Sequence, residues 1–361
     1  MSRRSSTAPA SAARPTSRAR VVRRALSLLA LGAALAGCHA AYLDAADAGV
    51  DHALQGEYAR EGAPLAAQVV ARGDGAFELV LYEAGLPGAG WSGAPPVRAS
   101  GARAGDADAV RFAGDGIEAS VALADGVASL RIERRDGPGV ADARVEPLAL
   151  PRIERRSPTL GAPPPEGAIV LFGPDRASGG LRNATDGTAT PEGWLRAGAT
   201  SREAFGSARI HLEFRTPFMP SASGQLRGNS GVYLQDRYEV QILDSFGNAP
   251  AADECGAIYR TAAPATAMAL PPLQWQTYDI EFRAARFDAS GAKRANARAS
   301  VRHNGVLVHD DAEIPGPTGL GDGESPAPGA LTLQDHWNPV VFRNVWVLPL
   351  DAASGGAAGP D

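Results

Sequence analysis

Apolar and polar residues alternate with period two through the middle of the chain. The clearest run starts at Arg237, where three polar residues alternate with three apolar ones: Arg237, Tyr238, Glu239, Val240, Gln241 and Ile242. Because successive side chains of a strand point to opposite faces, this run predicts a strand with one apolar and one polar face. The polar face suits the floor of a groove that holds a sugar. An ordinary half-exposed strand with a cross-strand ion pair explains the pattern equally well.

Similar alternation predicts an all-β protein. Residues 209–215, 277–283 and 331–337 all alternate in this way. The first of these runs places His211 and Glu213 on an outer face. We expect both His211 and His303 to be solvated strand residues. Hairpin turns are predicted at dipeptides whose second residue is glycine: Asp74-Gly75, Asp115-Gly116, Asp125-Gly126 and Asn304-Gly305. Many short strands without a long helical pattern favour a sandwich or jelly roll with one concave face.

Composition divides the chain into segments. These are an export signal (1–37), a tether (38–54), a small antiparallel β domain of unknown role (55–156), a proline-rich linker (157–165), a second β domain (166–350) and a disordered tail (351–361). The linker contains three consecutive prolines, which are stiff and cannot join a sheet ladder.

The amino terminus is typical of an exported protein. Seven arginines and no acidic residue occur in residues 1–37, and the apolar run 25–36 is too short to span a bilayer comfortably. The run ends in Leu-Ala-Gly-Cys38, which resembles a bacterial lipobox, so Cys38 is predicted to carry lipid. The alternative is an ordinary secretory signal in which Cys38 is incidental. The expected location is the cell envelope, at the outer membrane or its periplasmic face, or else free in the periplasm.

Charge and cysteine content exclude several classes of function. The formal net charge is −5, and without the first 37 residues it is −12, which makes a nucleic-acid partner a poor expectation. Cys255 is the only cysteine besides Cys38, so a lipidated chain has no internal disulfide and no cysteine-based zinc site. Motifs for a phosphate loop, a serine nucleophile elbow and an HExxH metal site are also missing from the sequence.

Carboxylates and one histidine are the candidates for proton transfer. Glu239 and Asp244, with Glu213 on a neighbouring predicted strand, suggest the paired carboxylates of a glycoside hydrolase. His336 lies where a predicted strand enters a loop, and a neutral imidazole there suits a general base. Gln334 shares the polar face with His336. A single histidine is also often structural.

Five stretches in this order carry a family resemblance: GNSGVYLQDRYEVQILDSFG, ECGAIYR, WQTYDIEFRAARFD, HNGVLV and LQDHWNPVVFRNVWVLPL. Together they resemble the bacterial 3-keto-disaccharide hydrolase family, also described as 3-keto-glucoside 1,2-lyase and 3-keto-2-hydroxyglucal hydratase. The resemblance covers about residues 167–350. It implies a concanavalin-like jelly roll of the kind found in family 16 glycoside hydrolases, here in an exported lipoprotein with an extra N-terminal β domain.

The resemblance also implies a reaction. A separate sugar 3-oxidoreductase supplies a 3-keto-glycoside, a base removes the proton at carbon 2, the group on carbon 1 leaves, and water adds. Glu239 and His336 are the implied proton-transfer residues. The implied sugar-binding residues are Asn229, Tyr233, Arg237, Gln241 and Gln334. Residues 260–272 are expected to form a loop over the substrate. A divalent metal is compatible with the family, but no spacing in this chain demands one.

Two rival functions stay open. A conventional glycoside hydrolase is expected to carry two glutamates about four residues apart on one strand, and no second glutamate follows Glu239. A non-catalytic carbohydrate-binding module would keep aromatic residues on the concave face without needing Glu239 or His336.

Overall fold

The computed structural model describes residues 39–105, 107–114, 116–135, 147–173, 179–182 and 188–350. The predicted export signal, Cys38 and the tail 351–361 lie outside these residues. The described part is almost entirely β, as the sequence predicts, and its α-helical content is the short helix α1 (Gly49–Leu54). No helix among the described residues combines the length and apolar character needed to cross a bilayer.

The first eight strands form a closed antiparallel barrel, in which β1 pairs with both β2 and β8. The strands are β1 (Gly56–Tyr58), β2 (Leu65–Gly73), β3 (Ala76–Glu83), β4 (Val97–Arg103), β5 (Ala109–Gly114), β6 (Ile117–Ala124), β7 (Val127–Arg135) and β8 (Leu148–Ile153). The predicted hairpin at Asp74-Gly75 is confirmed, with φ of 52° and 72° at its two residues. Closure, which leaves no free sheet edge, was not predicted.

The remaining strands form a sandwich of two sheets and a small ribbon. They are β9 (Ile169–Phe172), β10 (Leu195–Arg196), β11 (Thr200–Phe205), β12 (Ala208–Arg215), β13 (Ser230–Leu234), β14 (Tyr238–Ile242), β15 (Gln276–Arg283), β16 (Arg286–Phe287), β17 (Lys293–Ala295), β18 (Ala297–His303), β19 (Val306–Ile314), β20 (Gly329–Leu333) and β21 (Val341–Pro349).

One sheet has the order β10-β21-β12-β15-β18-β19, with β9 beside β21, and the other has the order β11-β20-β13-β14. Apolar residues of both sheets share one core, among them Leu212 and Ile280 from the first and Val232 and Val240 from the second. The apolar face predicted for residues 238–242 therefore faces the core.

The barrel packs against the sandwich through aromatic residues of the sandwich. Phe218 is buried within the barrel's own apolar cluster, and Phe246 packs with Val70 and Val80 on the outer side of the barrel. Arg98 also donates from Nη2 to the carbonyl of Gly247 at 2.9 Å. Buried aromatic contacts of this kind stabilise a fixed arrangement of the two parts.

The proline-rich linker lies on the outer face of the larger sheet. Beneath it, His211 is fully buried, and His303 is fully buried on the opposite, core side of the same sheet against Phe214 and Tyr278, so the prediction that they are solvated is wrong. His211 Nδ1 is 2.6 Å from Asp279 Oδ1, and the backbone N–H of Gly161 donates to Glu213 Oε1 at 2.6 Å. The alternation placed His211 outside the core correctly, but the linker covers that face.

Opposing effects set the pKa of Glu213. Burial disfavours its charged form, but hydrogen bonds from His211, Asn344, the Gly161 N–H and Arg343 outweigh burial and lower the pKa to about 2. For His211, burial disfavours protonation, and Asp279 and Glu213 together outweigh it and raise the pKa. The network therefore favours the charged carboxylate of Glu213 and the protonated form of His211.

Glu213 should make the fold sensitive to acid. Its pKa falls from 4.5 to about 2 on folding, so its stabilisation is complete above pH 4.5 and is lost as the pH falls towards 2. We expect a loss on the order of 2–3 kcal/mol in the free energy of unfolding. Urea titrations between pH 6 and pH 3 measure it.

In Glu213→Gln this part of the acid dependence should disappear. The exposed Glu281→Gln variant serves as the matched control and should keep it. Equal acid dependence in wild type and Glu213→Gln would contradict the assignment. His211 does not interfere in this pH range, because its raised pKa affects stability only above about pH 6.5.

Candidate active site

Three neighbouring strands bring most of the predicted site residues onto one face of the four-stranded sheet. Tyr233 of β13 lies opposite Glu239 of β14, and Gly231 lies opposite Gln241. The N–H of Gln334, just after β20, donates to the carbonyl of Gly231 at 2.8 Å. We call this surface the polar face, since the neighbouring residues in sequence point into the core.

Glu239 is the central group of the polar face. Its Oε2 accepts a hydrogen bond from the Tyr233 hydroxyl at 2.8 Å, and the residue is only 3% exposed. Burial raises the pKa of Glu239 to about 7, although the hydrogen bond from Tyr233 acts in the opposite direction. A side chain at position 231 would collide with the carboxylate, so Gly231 leaves the space that it occupies. A carboxyl group with a pKa near 7 is suited to proton transfer at neutral pH.

The polar face is covered by residues 315–328, which we call the covering loop. A Cβ at Gly319 would lie 2.5 Å from Glu239 Oε2, so the loop backbone rests on the carboxyl group. The N–H of Glu239 donates to Thr318 Oγ1 at 2.6 Å, and the N–H of Leu320 donates to the Tyr233 hydroxyl at 3.2 Å. The expected open groove floor is therefore closed in this structure.

The loop predicted to cover the substrate lies elsewhere. Met268 and Leu270, within residues 260–272, are buried, and Met268 belongs to the sandwich core. The carbonyl of Met268 accepts a hydrogen bond from Asn304 Nδ2 at 2.9 Å, beside the β18–β19 hairpin. Sequence reasoning identified residues 260–272 and missed the covering loop.

Arg237 holds the covering loop in place. Its Nη2 donates to Ser325 Oγ at 2.8 Å and to the carbonyl of Ala327 at 3.0 Å, while Nη1 donates to Gln235 Oε1. Its own carbonyl accepts from the N–H of Thr318 at 2.9 Å. Arg237 was predicted to bind the sugar, but its Nη2 atom is used to hold the loop above Glu239.

Amide side chains gather at the other end of the polar face. Gln225, which the sequence did not single out, accepts at Oε1 from Asn229 Nδ2 (3.1 Å) and Gln241 Nε2 (2.9 Å). Asn229 Oδ1 and Gln334 Oε1 are buried and have no hydrogen-bond partner among the described residues. Unsatisfied buried acceptors are uncommon, and here they are available to ligand hydroxyl groups.

His336 follows β20 at this same end and is half-buried. Its ring packs edge-on against Trp337, with 5.2 Å between the ring centroids, and Trp337 is 60% exposed. No hydrogen bond joins His336 to another residue in the part of the chain that the structure describes. The structure therefore leaves the imidazole free for a ligand and does not place it in contact with Glu239.

The structure separates the other candidate carboxylates from Glu239. Glu213 lies on β12 in the other sheet, so its placement beside Glu239 is wrong. Asp244 is fixed by Arg227, whose Nε donates to its Oδ2 at 2.7 Å, both side chains being buried. These two carboxylates are committed to ion pairs within the fold.

A metal is not favoured by these residues. The described residues contain no group of three or more His, Cys, Asp or Glu side chains that could hold an ion. The Glu239 carboxyl group is hydrogen-bonded to a tyrosine hydroxyl, whereas a metal site needs several oxygen or nitrogen ligands close together.

Comparison with known proteins supports a carbohydrate-active enzyme. The model of a family described as "3-keto-alpha-glucoside-1,2-lyase-like domain" matches residues 167–348, which is half of the chain. A search of curated proteins gives no match.

Three solved structures from Parabacteroides distasonis ATCC 8503, each described as a "putative glycosyl hydrolase", are similar to the chain. The first is 29% identical over 51% of this chain and 84% of that one, with a TM-score of 0.45. The second is 20% identical over 51% and 99%, with a TM-score of 0.34. The third is 19% identical over 52% and 95%, with a TM-score of 0.37.

Removing the Tyr233 hydroxyl should raise the pKa of Glu239 above 7. The hydroxyl donates to the carboxylate and so stabilises its charged form, and Tyr233→Phe removes that donor. A ¹³C carboxyl titration followed by NMR measures the change. Tyr82→Phe is the control, because the Tyr82 hydroxyl makes an equivalent hydrogen bond in the barrel, to Gln68 Oε1 at 2.8 Å. A pKa that is unchanged or lowered in Tyr233→Phe would refute this account of Glu239.

Proposed function

Because this chain belongs to the family of 3-keto-alpha-glucoside-1,2-lyase-like domains, we propose that it cleaves 3-keto-glycosides by elimination followed by hydration. Family membership makes the chain a carbohydrate-active enzyme of the hydrolase or lyase type. The choice of a 3-keto substrate, the elimination route and the residue roles are the proposal.

The observation that carries the proposal is the buried carboxyl group of Glu239 on the polar face, 3% exposed and bonded to the Tyr233 hydroxyl, where burial raises its pKa to about 7. A ketone at carbon 3 acidifies the hydrogen on carbon 2, and the Glu239 carboxylate takes that proton. The electron pair of the broken C2–H bond forms the enolate. Near pH 7 both protonation states of Glu239 are well populated, so the same group serves as base and then as acid.

The second half of the reaction completes a net hydrolysis. The enolate re-forms the ketone as the C1–O bond breaks, and the leaving oxygen receives a proton, a role that we assign to His336. Water then adds its oxygen to carbon 1 while one of its protons passes to His336, and carbon 2 regains a proton from Glu239, so both groups return to their starting protonation states. Asn229 Oδ1 and Gln334 Oε1 are assigned to accept from sugar hydroxyls, and the Nε2 amide group of Gln334 is assigned to donate to the ketone oxygen.

Tyr233, Gln241 and Arg237 take supporting roles in this proposal. Tyr233 tunes and orients the Glu239 carboxyl group, and Gln241 holds Gln225 beside Asn229. Arg237 positions the covering loop. Glu239 is only 3% exposed because Gly319 of the covering loop lies against its carboxyl group. The loop therefore has to move away before a sugar reaches that group.

Replacing Glu239 by glutamine should abolish turnover of a keto substrate. Glu239→Gln keeps the shape but removes the proton acceptor, and we expect a loss of roughly 100-fold or more in kcat. Release of nitrophenol from a 3-keto-nitrophenyl glucoside measures it, with the unoxidised glucoside assayed in parallel and a chelator arm for both. Glu281→Gln, an exposed change on β15, is the matched control.

The outcomes of this assay distinguish the proposed elimination from a conventional glycoside hydrolase and from a binding module. Full turnover in Glu239→Gln would refute the assignment of the base, and full turnover in His336→Ala would refute that of the acid. Rapid cleavage of the unoxidised glucoside would favour a conventional glycoside hydrolase. No release from either sugar by the wild type, with sugar binding retained, would favour a binding module. Loss of activity with chelator would show that a metal takes part.

We also propose that the protein is lipid-anchored through Cys38 in the cell envelope and depends on a sugar 3-oxidoreductase for its substrate. Cys38→Ala should release the protein from the membrane fraction, because a lipobox cysteine is the attachment point. Fractionation with immunodetection measures the release, with Cys255→Ala as the matched cysteine control. An unchanged membrane fraction for Cys38→Ala would refute the anchor.

A further inference from the structure

A second cavity, separate from the polar face, lies between the barrel and the sandwich. Its volume is about 420 Å³, which is within the range of small-molecule sites. Arginines from three parts of the chain line it: Arg152 of β8, Arg155 and Arg156 just after it, and Arg343 of β21. Glu154 is the acidic residue in the lining, so the wall is cationic although the chain as a whole is acidic.

Two of these guanidinium groups are fixed by one nitrogen and leave the others unbonded. Arg152 donates from Nε to the carbonyl of Gln55 at 2.9 Å, and Arg343 donates from Nε to Glu213 Oε2 at 2.6 Å. Among the described residues, the Nη atoms of both arginines make no hydrogen bond. A guanidinium held in this way presents its free edge in a fixed orientation, which suits recognition of a carboxylate.

Neighbouring groups fix the geometry of these arginines and set the charge of the cavity wall. The guanidinium of Arg343 lies 4.1 Å above the ring of Trp275, a cation–π contact. Burial and the charge of Arg152 lower the pKa of His52 to about 4, so His52 is neutral at pH 7. Glu57 accepts two hydrogen bonds from Arg155, and Glu213 pairs with Nε of Arg343, so both of these charges have a carboxylate partner. Arg152 has no such partner among the described residues and supplies the uncompensated positive charge of the cavity.

The cavity also holds an acceptor that lacks a donor. Gln274 Oε1 is buried and has no partner among the described residues. A bare inorganic anion, which only accepts from the arginines, leaves this oxygen unsatisfied at a cost of about 1–3 kcal/mol. A ligand with both a carboxylate and hydroxyl groups satisfies both features.

We propose that this cavity binds an acidic saccharide, with the sugar carboxylate between Arg152 and Arg343 and a hydroxyl donating to Gln274. The site shares no residue with the polar face around Glu239, and it does not depend on the reaction proposed there. It would attach the enzyme to uronate-bearing glycans while the polar face turns over its substrate.

Calorimetric titration of the full-length protein with digalacturonic acid tests the proposal, with the neutral disaccharide galactobiose and inorganic phosphate as parallel probes. Wild type should bind digalacturonic acid at least about tenfold more tightly than either probe. Arg152→Gln should weaken that binding about tenfold. Arg294→Gln, the same change on the distant β16–β17 ribbon, should leave it unchanged.

Gln274→Met separates a saccharide site from a general anion site. The substitution keeps the size of the side chain and removes the acceptor, so it should weaken digalacturonic acid binding and leave phosphate binding unchanged. Equal affinity for phosphate and the acidic sugar, or for the neutral and the acidic sugar, would overturn the proposal. So would unchanged affinity in both Arg152→Gln and Gln274→Met, with thermal unfolding showing that each variant is folded.

Discussion

Burial of the Glu239 carboxyl group is the constraint on which the site depends. In the described structure, the carboxylate accepts one hydrogen bond from a side chain, that of Tyr233, and no cation lies against it. A charged carboxylate in such surroundings loses hydration without full compensation, so its pKa has to rise. Gly231 and Gly319 make the burial possible, because neither has a side chain where the carboxyl group lies.

The covering loop connects this electrostatic constraint to function. Its backbone excludes water from Glu239, and Arg237 and Thr318 tie it to β14. Water exclusion raises the pKa to the range that proton transfer needs, yet the same contact blocks a substrate. Because residues 315–328 belong to neither sheet, they are easier to displace than a paired strand, and the proposed reaction requires them to open.

Much of the polar face follows from the sequence, because strand alternation is a local property. Glu239 and Gln241 alternate with core residues, and Tyr233 and Gln334 join them on the neighbouring strands. The covering loop was missed because its position depends on distant residues and not on a local pattern. Residues 315–328 carry no periodic pattern, and their position over Glu239 depends on contacts made by residues about 80 positions away. Residues 260–272 resemble a surface loop in composition, but their apolar side chains fill the core.

The sequence by itself determined the all-β class, the inward faces of the strands and hairpins such as Asp74-Gly75, since each depends on neighbouring residues and on steric limits of the backbone. Tertiary structure alone decided that the first eight strands close into a barrel and that Glu213 and Glu239 lie on different sheets. It also gave the two carboxylates opposite pKa shifts. Strand order and burial arise from pairing between distant segments, and alternation along one strand carries no information about its neighbours.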